Sequence, residues 1–486
     1  MASVKERFDV VIVGAGPAGL VTAAILAFSS AKRVLVLEKG DEIDAREALG
    51  ERAWVEGVGG AGLYSDGKLC MSLEVGGHLR EELPPEEKSR LLGVLNVLFR
   101  WALSESVNSD AAVFPRTDRV DRHGVTVTSY PVLHIGTDRG AKVIRNIVEL
   151  VRDRGVAIRS GSELLGVRRE RQNGWELTVA CGGSTAEVHA DSLIFAMGKV
   201  GAQRQAELCE QHGATLVSVP MYVGVRFECD SGTLRPLFNE SLDPKIKLRF
   251  PDGTRMKTHC ATLQGEIAPL HYEGLPLAGG HGYTNRKTGR GGFAVLWDGI
   301  RSPDNFGCAR DLMGAISRHT EGQLLVQRLV DFLSGKESSI DLVRAAGPSL
   351  EQWNVGNIRE FYPQSFSEKL EEFLRVIGAR VPGLRESNGL LFAPAIEWWM
   401  RRVVAEPNSM RSGAGIYVCG DGSGWSQGIV HAAATGIIAA EDLLRRKISA
   451  HELGEYLSFC QHNGRNTPGS SISLIRQEDV RHVASE

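Results

Sequence analysis

An apolar, β-branched run, Phe8-Asp-Val-Val-Ile-Val13, breaks at once into Gly14-Ala-Gly16-Pro-Ala-Gly19 and then into a small-residue stretch reaching Ser30. A second apolar run, Arg33-Val-Leu-Val-Leu-Glu38, follows. Strand, helix and strand fit within the ~30 residues of a dinucleotide-binding βαβ unit. Each glycine has a reason. Gly14 permits the tight turn, Gly16 lets the backbone approach a pyrophosphate, and Gly19 lets helix and strand pack closely. The helix N-terminus, entered through Pro17 and Ala18, faces the phosphate charge. Glu38 ends the second run nineteen residues after Gly19, with Lys39 next to it. A carboxylate there accepts hydrogen bonds from an adenosine ribose. The rival reading is a glycine-rich turn with no ligand, and the full strand–helix–strand context argues against it.

The bulk properties set the frame. A chain of 486 residues is too long for one ordinary core, so two or three domains are expected. Hydrophobic and charged fractions of 42% and 24% are those of a soluble globular protein. A net charge of −3 gives no electrostatic case for nucleic acid. No apolar run approaches the ~18 residues of a membrane span, and the strand starting by Phe8 leaves no room for a cleaved signal peptide. Eight scattered cysteines without a Cys-x-x-Cys pair read as reduced thiols in a cytoplasmic protein. No His-Glu-x-x-His pattern occurs, and no metal is expected.

Along the chain, Pro84-Pro85-Glu86-Glu87 opens a helix whose apolar face runs through Leu91, Leu95, Leu98 and Ala102. A helix is expected near 139–154, followed by strands near 156–159, 164–168 and 175–180. The short apolar strand Leu193-Ile-Phe-Ala196 ends at Gly198. Strands near 222–227 and 247–250, and helices near 308–319, 323–333 and 367–376, mark a block of different character. The expected fold class is α/β: a Rossmann-like domain, with parallel sheet and β-meander, and an inserted mixed α+β substrate domain. The first is discontinuous, over 1–70, 130–214 and 391–462, with a helical insertion at 71–129. The substrate domain spans 215–390, and 463–486 is a polar tail.

Three further features select FAD over a nicotinamide dinucleotide. Gly59-Gly60 supplies a second close backbone approach, as an enclosed flavin needs. The strand ending Ala196-Met-Gly198 supplies another turn. Far down the chain, Gly420-Asp421 delivers a carboxylate beside a helix N-terminus, placed for a ribityl hydroxyl and the flavin N1–O2 edge. Together these motifs resemble the FAD-dependent oxidoreductases of the glutathione-reductase-like superfamily. Gly59-Gly-Ala-Gly-Leu-Tyr-Ser-Asp-Gly-Lys-Leu69, His134-Ile-Gly-Thr-Asp138 and Gly420-Asp-Gly-Ser-Gly-Trp-Ser-Gln-Gly428 look more narrowly like a poorly characterised group of bacterial FAD-dependent dehydrogenases.

The resemblance implies that Gly14, Gly16, Gly19 and Glu38 hold the adenosine diphosphate end. It implies that Gly59, Gly60 and Ser65 line the pyrophosphate and isoalloxazine approach, and that Asp421, Gly428 and Ile429 hold the ribityl and pyrimidine end. Leu165 or Val167 would contact adenine. The chain departs from the group at Thr258-His-Cys-Ala-Thr-Leu-Gln-Gly265 and around Ala393-Pro-Ala-Ile-Glu397-Trp398-Trp399-Met-Arg-Arg402, both expected near the substrate.

Candidate catalytic residues are fewer. Lys68 follows the Gly59-Gly60 loop and is placed to stabilise anionic reduced flavin, its rival reading being a solvated lysine. Arg286, Lys287 and Arg290 crowd a glycine-rich loop that suits an anionic substrate, unless they form an exposed basic loop. His281 and Tyr283 in that loop are candidate proton donors. Trp398, Trp399 and Trp425 are candidate walls for an apolar or aromatic substrate, or simply core.

The expected function is a dehydrogenase or reductase moving a hydride between a small organic molecule and flavin N5. Reoxidation would use oxygen, a quinone or a carrier protein. The alternative is a monooxygenase using NAD(P)H, as a transient donor, and O2. A tRNA-modifying flavoprotein is disfavoured by the charge, and a non-catalytic FAD scaffold by the reactive residues around the loops. The absence of a second Gly-x-Gly-x-x-Gly between residues 200 and 410, and of a redox cysteine pair, argues against disulfide reductases.

Overall fold

Two large sheets organise the fold. The computed structural model describes residues 6–104, 117–120, 125–171, 174–239, 241–397 and 400–462. In the first sheet the buried strand Glu6–Val13 lies between Val34–Leu37 and Ser184–Phe195, parallel to both. Ala157–Arg159 extends it on one side and Tyr417–Val418 on the other, again in parallel. Ser162–Arg169, Trp175–Cys181 and Ser184–Phe195 form an antiparallel meander leading back into the centre. The parallel strands are buried on both faces and read as continuous apolar runs. This is the Rossmann-like α/β architecture with a meander.

Two helices from opposite ends of the chain, Pro17–Ser29 and Ile429–Leu444, pack together through small residues. A Cβ on Gly436 would lie 2.4 Å from the Ala18 carbonyl oxygen. The Thr22 hydroxyl donates to the Ala18 carbonyl, 2.8 Å away, and lies 3.2 Å from that of Gly436.

The second sheet runs Trp353–Val355, Leu324–Arg328, Leu390–Glu397, Met221–Asp230, Arg290–Ile300, Arg255–Thr262, Lys245–Arg249, Thr126–Ser129, Thr117–Val120. Val223, Val225, Phe227, Phe293, Val295 and Trp297 face one way, into a core shared with Phe366, Leu370 and Phe373 of the helix Gln364–Gly378. The alternate residues face the other way, over the mouth of the first sheet.

Three expectations are corrected. Residues 323–333 are not one helix: Leu324–Arg328 is a strand, and only Leu329–Leu333 is helical. Its first four residues are buried on both faces, so the run has no alternation to distinguish strand from helix. Leu390–Glu397 belongs to the second sheet, pairing with Met221–Asp230 and Leu324–Arg328, so the boundary expected at 390 falls within that layer. Residues 71–129 contribute the helix Pro85–Ala102 but also two strands that extend the second sheet beyond Lys245–Arg249.

Gly19 shows how tightly the first unit is built: a Cβ there would lie 2.0 Å from the Gly14 carbonyl oxygen. Gly19→Val should cost about 3 kcal/mol or more, or abolish soluble expression. Gly232→Ala, where a Cβ meets nothing within 4 Å, should stay within about 0.5 kcal/mol of the parent in thermal unfolding.

Candidate functional site

The two chain-end helices begin at one cavity of about 930 Å³, near the upper end of the ~300–1,000 Å³ range of ligand pockets. Gly16 caps Pro17–Ser29 and Gly428 caps Ile429–Leu444; neither cap has a side-chain hydrogen bond, and neither first turn carries an acid. First-turn amides have no partner within a helix. The first-turn amides of both helices thus present positive partial charge to the same space. Gly16 leaves that approach bare, since a Cβ there meets only the Gly60 Cα at 3.9 Å. Gly14 serves another purpose: with φ at +109°, its Cβ would lie 2.2 Å from the Ala196 carbonyl oxygen, so the two strand ends meet there. This arrangement fits a pyrophosphate-bearing dinucleotide.

Glu38 accepts hydrogen bonds from the amides of Ala15 (2.8 Å), Gly40 (3.0 Å) and Gly57 (3.2 Å). A carboxylate has about four acceptor directions, so capacity remains toward the cavity. Arg46 braces the neighbouring loop. Its fully buried guanidinium donates to the carbonyls of Ala53 (3.0 Å), Trp54 (3.2 Å), Val58 (2.5 Å) and Gly60 (2.9 Å). Burial lowers its pKa to about 10, so it remains charged at neutral pH. Nothing in the sequence distinguishes this arginine from any other on an amphipathic helix. Arg46→Lys leaves carbonyls unsatisfied and should cost about 2–4 kcal/mol in denaturant unfolding.

Asp421 accepts from the Ser426 hydroxyl (2.7 Å) and the Gly428 amide (3.1 Å) at the start of the second helix. Burial raises its pKa. Lys199 pairs with Glu397, which also accepts from Gln427 at 3.2 Å. That ion pair joins the first sheet's Gly198 turn to the second sheet. Burial opposes charge on Lys199, but Glu397 outweighs it and raises the pKa.

The second sheet closes the cavity with a cationic face. Lys68 pairs with Asp66 at 2.8 Å and also donates to the Ala261 carbonyl at 2.5 Å. Lys245 pairs with Asp243 at 2.9 Å. Burial works against all four charges, yet the partners win: both lysines are raised and both aspartates lowered. Lys257 differs. Its Nζ lies 3.9 Å from the centroid of the Tyr222 ring, and no described carboxylate lies within 4 Å of it. Enclosure, followed by Lys245, lowers its pKa to about 7. His259, partly buried beside Lys245 and Lys257, is held well below its usual pKa by desolvation and those cations, and is neutral. A bulge between His259 and Thr262 carries Cys260 at φ +46°, and burial pushes its thiol up to about 12.

The sequence candidates distribute unevenly. The cofactor candidates Gly14, Gly16, Pro17, Ala18, Glu38, Lys39, Gly60, Ser65, Ala196, Gly198, Asp421, Gly428 and Ile429 line the cavity. Gly19, Gly59 and Val167 do not. Gly19 packs helix on strand, and the Gly59 amide donates to the Ala15 carbonyl at 2.8 Å. Leu165, on the same strand as Val167, does line it.

Of the catalytic candidates, Lys68 lines the cavity, whereas His281, Tyr283 and Arg290 do not. His281 lies 3.1 Å from the Tyr283 hydroxyl and edge-on to Trp54, and Tyr283 donates to Glu266 at 2.9 Å. Arg286 pairs with Glu266, Lys287 is exposed, and Arg290 pairs with Asp230 and Glu228. Tyr283, Arg286 and Arg290 are thus spent on acids from neighbouring strands. Trp425 is core, its indole donating to the Val403 carbonyl at 2.8 Å. Trp398 and Trp399 lie outside the described residues. The two segments that depart from the resembled group do reach the cavity, through His259, Cys260, Ala395 and Glu397. The missed residues Arg226, Lys245 and Lys257 carry only a weak signal, the alternation of their strands.

A family model described as an NAD(P)-binding Rossmann-like domain matches residues 12–46. An uncharacterized protein of Clostridium beijerinckii is 22% identical over 90% of this chain and 80% of its own length. Glycine oxidase from Geobacillus kaustophilus superposes with a TM-score of 0.43 at 13% identity, over 92% of this chain and 96% of that one. A geranylgeranyl bacteriochlorophyll reductase-like protein from Thermoplasma acidophilum gives 0.40 at 13%, over 95% and 85%. Likeness this distant transfers no activity.

The low pKa of Lys257 has a consequence for stability. Between about 7 and the ordinary 10.5 the unfolded chain binds a proton that the folded chain does not. Stability from this group is therefore lowest at and below pH 7 and recovers as pH rises through that window. Lys257→Met removes the dependence. Its Tm gain over the parent should be largest at pH 7 or below and shrink toward pH 10, as followed by calorimetry.

Proposed function

We propose that this chain is an FAD-dependent oxidoreductase acting on a small organic molecule as a dehydrogenase or reductase. The observation that carries the reading is the meeting of two helix N-termini, from opposite ends of the chain, at one cavity that also holds Asp421. One helix end suits any phosphate; two, with a carboxylate at the second, suit the pyrophosphate and the ribityl–pyrimidine end of FAD. Bound FAD supplies the two-electron step, exchanging a hydride with a substrate carbon at N5. Gly14, Gly16, Pro17, Ala18 and Glu38 would hold the adenosine diphosphate end, with Leu165 beside adenine. Gly60, Ser65, Asp421, Gly428 and Ile429 would hold the rest.

Lys68, kept charged by Asp66, supplies a fixed positive charge in the cavity. The second-sheet face completes the enclosure, and its Glu397–Lys199 pair fixes the distance between the two layers. The reading assigns no role to His281, Tyr283 or Arg290. It does not require NAD(P)H as donor. The eight cysteines are all unpaired, which supports a reducing compartment such as the cytoplasm. No described helix is long and apolar enough to cross a membrane.

Protein purified under native conditions, or reconstituted with FAD, should be yellow and release FAD on denaturation. Glu38→Ala should lower retained FAD at least about tenfold, since it also frees three amides of the surrounding loop. Anaerobic mixing with a substrate panel should bleach the flavin without NAD(P)H. Colourless protein after reconstitution sinks the proposal. Flavin reduction only by NAD(P)H, with oxygen incorporated into product, replaces it with the monooxygenase.

A further inference from the structure

We propose that the second-sheet face of the cavity is a carboxylate-binding floor, on which a substrate carboxylate pairs with Lys257 and its apolar body lies along Leu296, Ala294 and Ala395. This rests on the reading of the cavity as a substrate site beside FAD, and it names the substrate class.

The register builds the floor. One cross-strand row runs Lys247, Lys257, Leu296, Gly224, Ala395. The adjacent row runs His259, Ala294, Arg226. Cations therefore stand at one edge, small and apolar residues occupy the middle, and Arg226 closes the far side. No side chain can stand at Gly224, where a Cβ would lie 1.7 Å from the Val295 carbonyl oxygen. The middle of the floor is an apolar cluster of Ala294, Leu296 and Ala395 that lines the cavity, with the Tyr222 ring packed against it.

The charges are unevenly satisfied. Lys68, Lys245, Lys199 and Arg255 each have a carboxylate partner. Lys257 and Arg226 have none within 4 Å among the described residues. Arg226 is 3% exposed; its Nη2 donates to the Cys260 carbonyl at 3.0 Å, and its Nε has no partner. Enclosed cations without counter-ions are costly, and an entering carboxylate offsets that cost. Lys257 offers its charge where the cavity is open.

Lys257 also makes binding proton-linked. The groups facing it are Lys245 and Lys247 on one neighbouring strand, Arg255 and His259 on its own, Tyr222 from Met221–Asp230 and Glu397 from Leu390–Glu397. Enclosure, followed by the cations among them, brings its pKa to about 7, and Glu397 opposes them. At pH 8 Lys257 is mostly neutral, and a carboxylate beside it draws in a proton.

The test is calorimetric titration of the FAD-loaded protein with monocarboxylates from acetate to 3-phenylpropionate and with their amides, in two buffers of different ionisation enthalpy. At least one carboxylate should bind, its amide about ten- to a hundredfold more weakly. Uptake should approach about one proton at pH 8 and fall away at pH 6. Lys257→Met should weaken carboxylate binding by a similar factor. Lys257→Arg should keep binding but lose proton uptake, because its charge is permanent. Equal affinity for acids and amides, no binding by any carboxylate, unchanged affinity in Lys257→Met, or tighter binding of inorganic phosphate would each overturn the proposal. Visible absorbance is recorded on every preparation. Colourless parent protein removes the oxidoreductase reading, whereas yellow protein that ignores carboxylates removes only the floor.

Discussion

The close crossing of Pro17–Ser29 and Ile429–Leu444 is the constraint from which the site follows. Residue 436 can carry no side chain there, because the Ala18 carbonyl oxygen stands 2.4 Å from where its Cβ would be. With the helices held that close, their N-termini open on one cavity. The pieces around them lock in turn. Gly14 meets the Ala196–Gly198 turn, Glu38 gathers the amides of Ala15, Gly40 and Gly57, and Arg46 gathers the carbonyls of the following loop. Glu38 and Arg46 do complementary work: one collects donors, the other acceptors, and both fix backbone instead of leaving it to be ordered by a ligand. Such preorganisation lowers the cost of binding a long cofactor.

The second layer is tied to the first by charge. Glu397 comes from the second sheet and Lys199 from just beyond the central strand of the first. Lys68 reaches from the Gly59-Gly60 side to the Ala261 carbonyl of the second sheet. Buried ion pairs are weak sources of stability, because desolvation consumes most of their attraction. Breaking one, however, strands a charge. They therefore define the relative placement of the two layers more than they hold them together. The cavity between the layers inherits a defined height.

What the sequence shows and what it hides divide along the same line. The dinucleotide unit is legible because its determinants are local: glycines at fixed offsets, an apolar run before them and a carboxylate at the end of the next strand. Asp421 is legible because Gly420 and a helix start flank it. Arg46, Arg226 and Lys257 are hidden, since their roles arise from pairing across strands and turns far apart in the chain. The loop bearing His281, Tyr283, Arg286 and Arg290 has the composition of an active site. Glu266, Glu228 and Asp230, brought in by neighbouring strands, absorb three of those side chains, and no local pattern announces such partners. Leu324–Arg328 fails for a related reason, because burial on both faces erases its period.

The two segments where the chain departs from the group it resembles are therefore not equivalent to ordinary loop variation. Thr258–Gly265 follows Lys257 on a strand that forms one edge of the cavity face, and Ala393–Glu397 lies on another strand of the same face. Between them stand the central strands carrying Leu296, Ala294 and Gly224. A change of residue on either flank alters which side chains meet over that middle, while the glycine and helix-end machinery opposite is untouched. On the proposed reading, cofactor binding and substrate choice are carried by different physical devices. The first is backbone, set by local geometry and tolerant of little change. The second is side chains in cross-strand rows, where one substitution changes charge or width without disturbing the register.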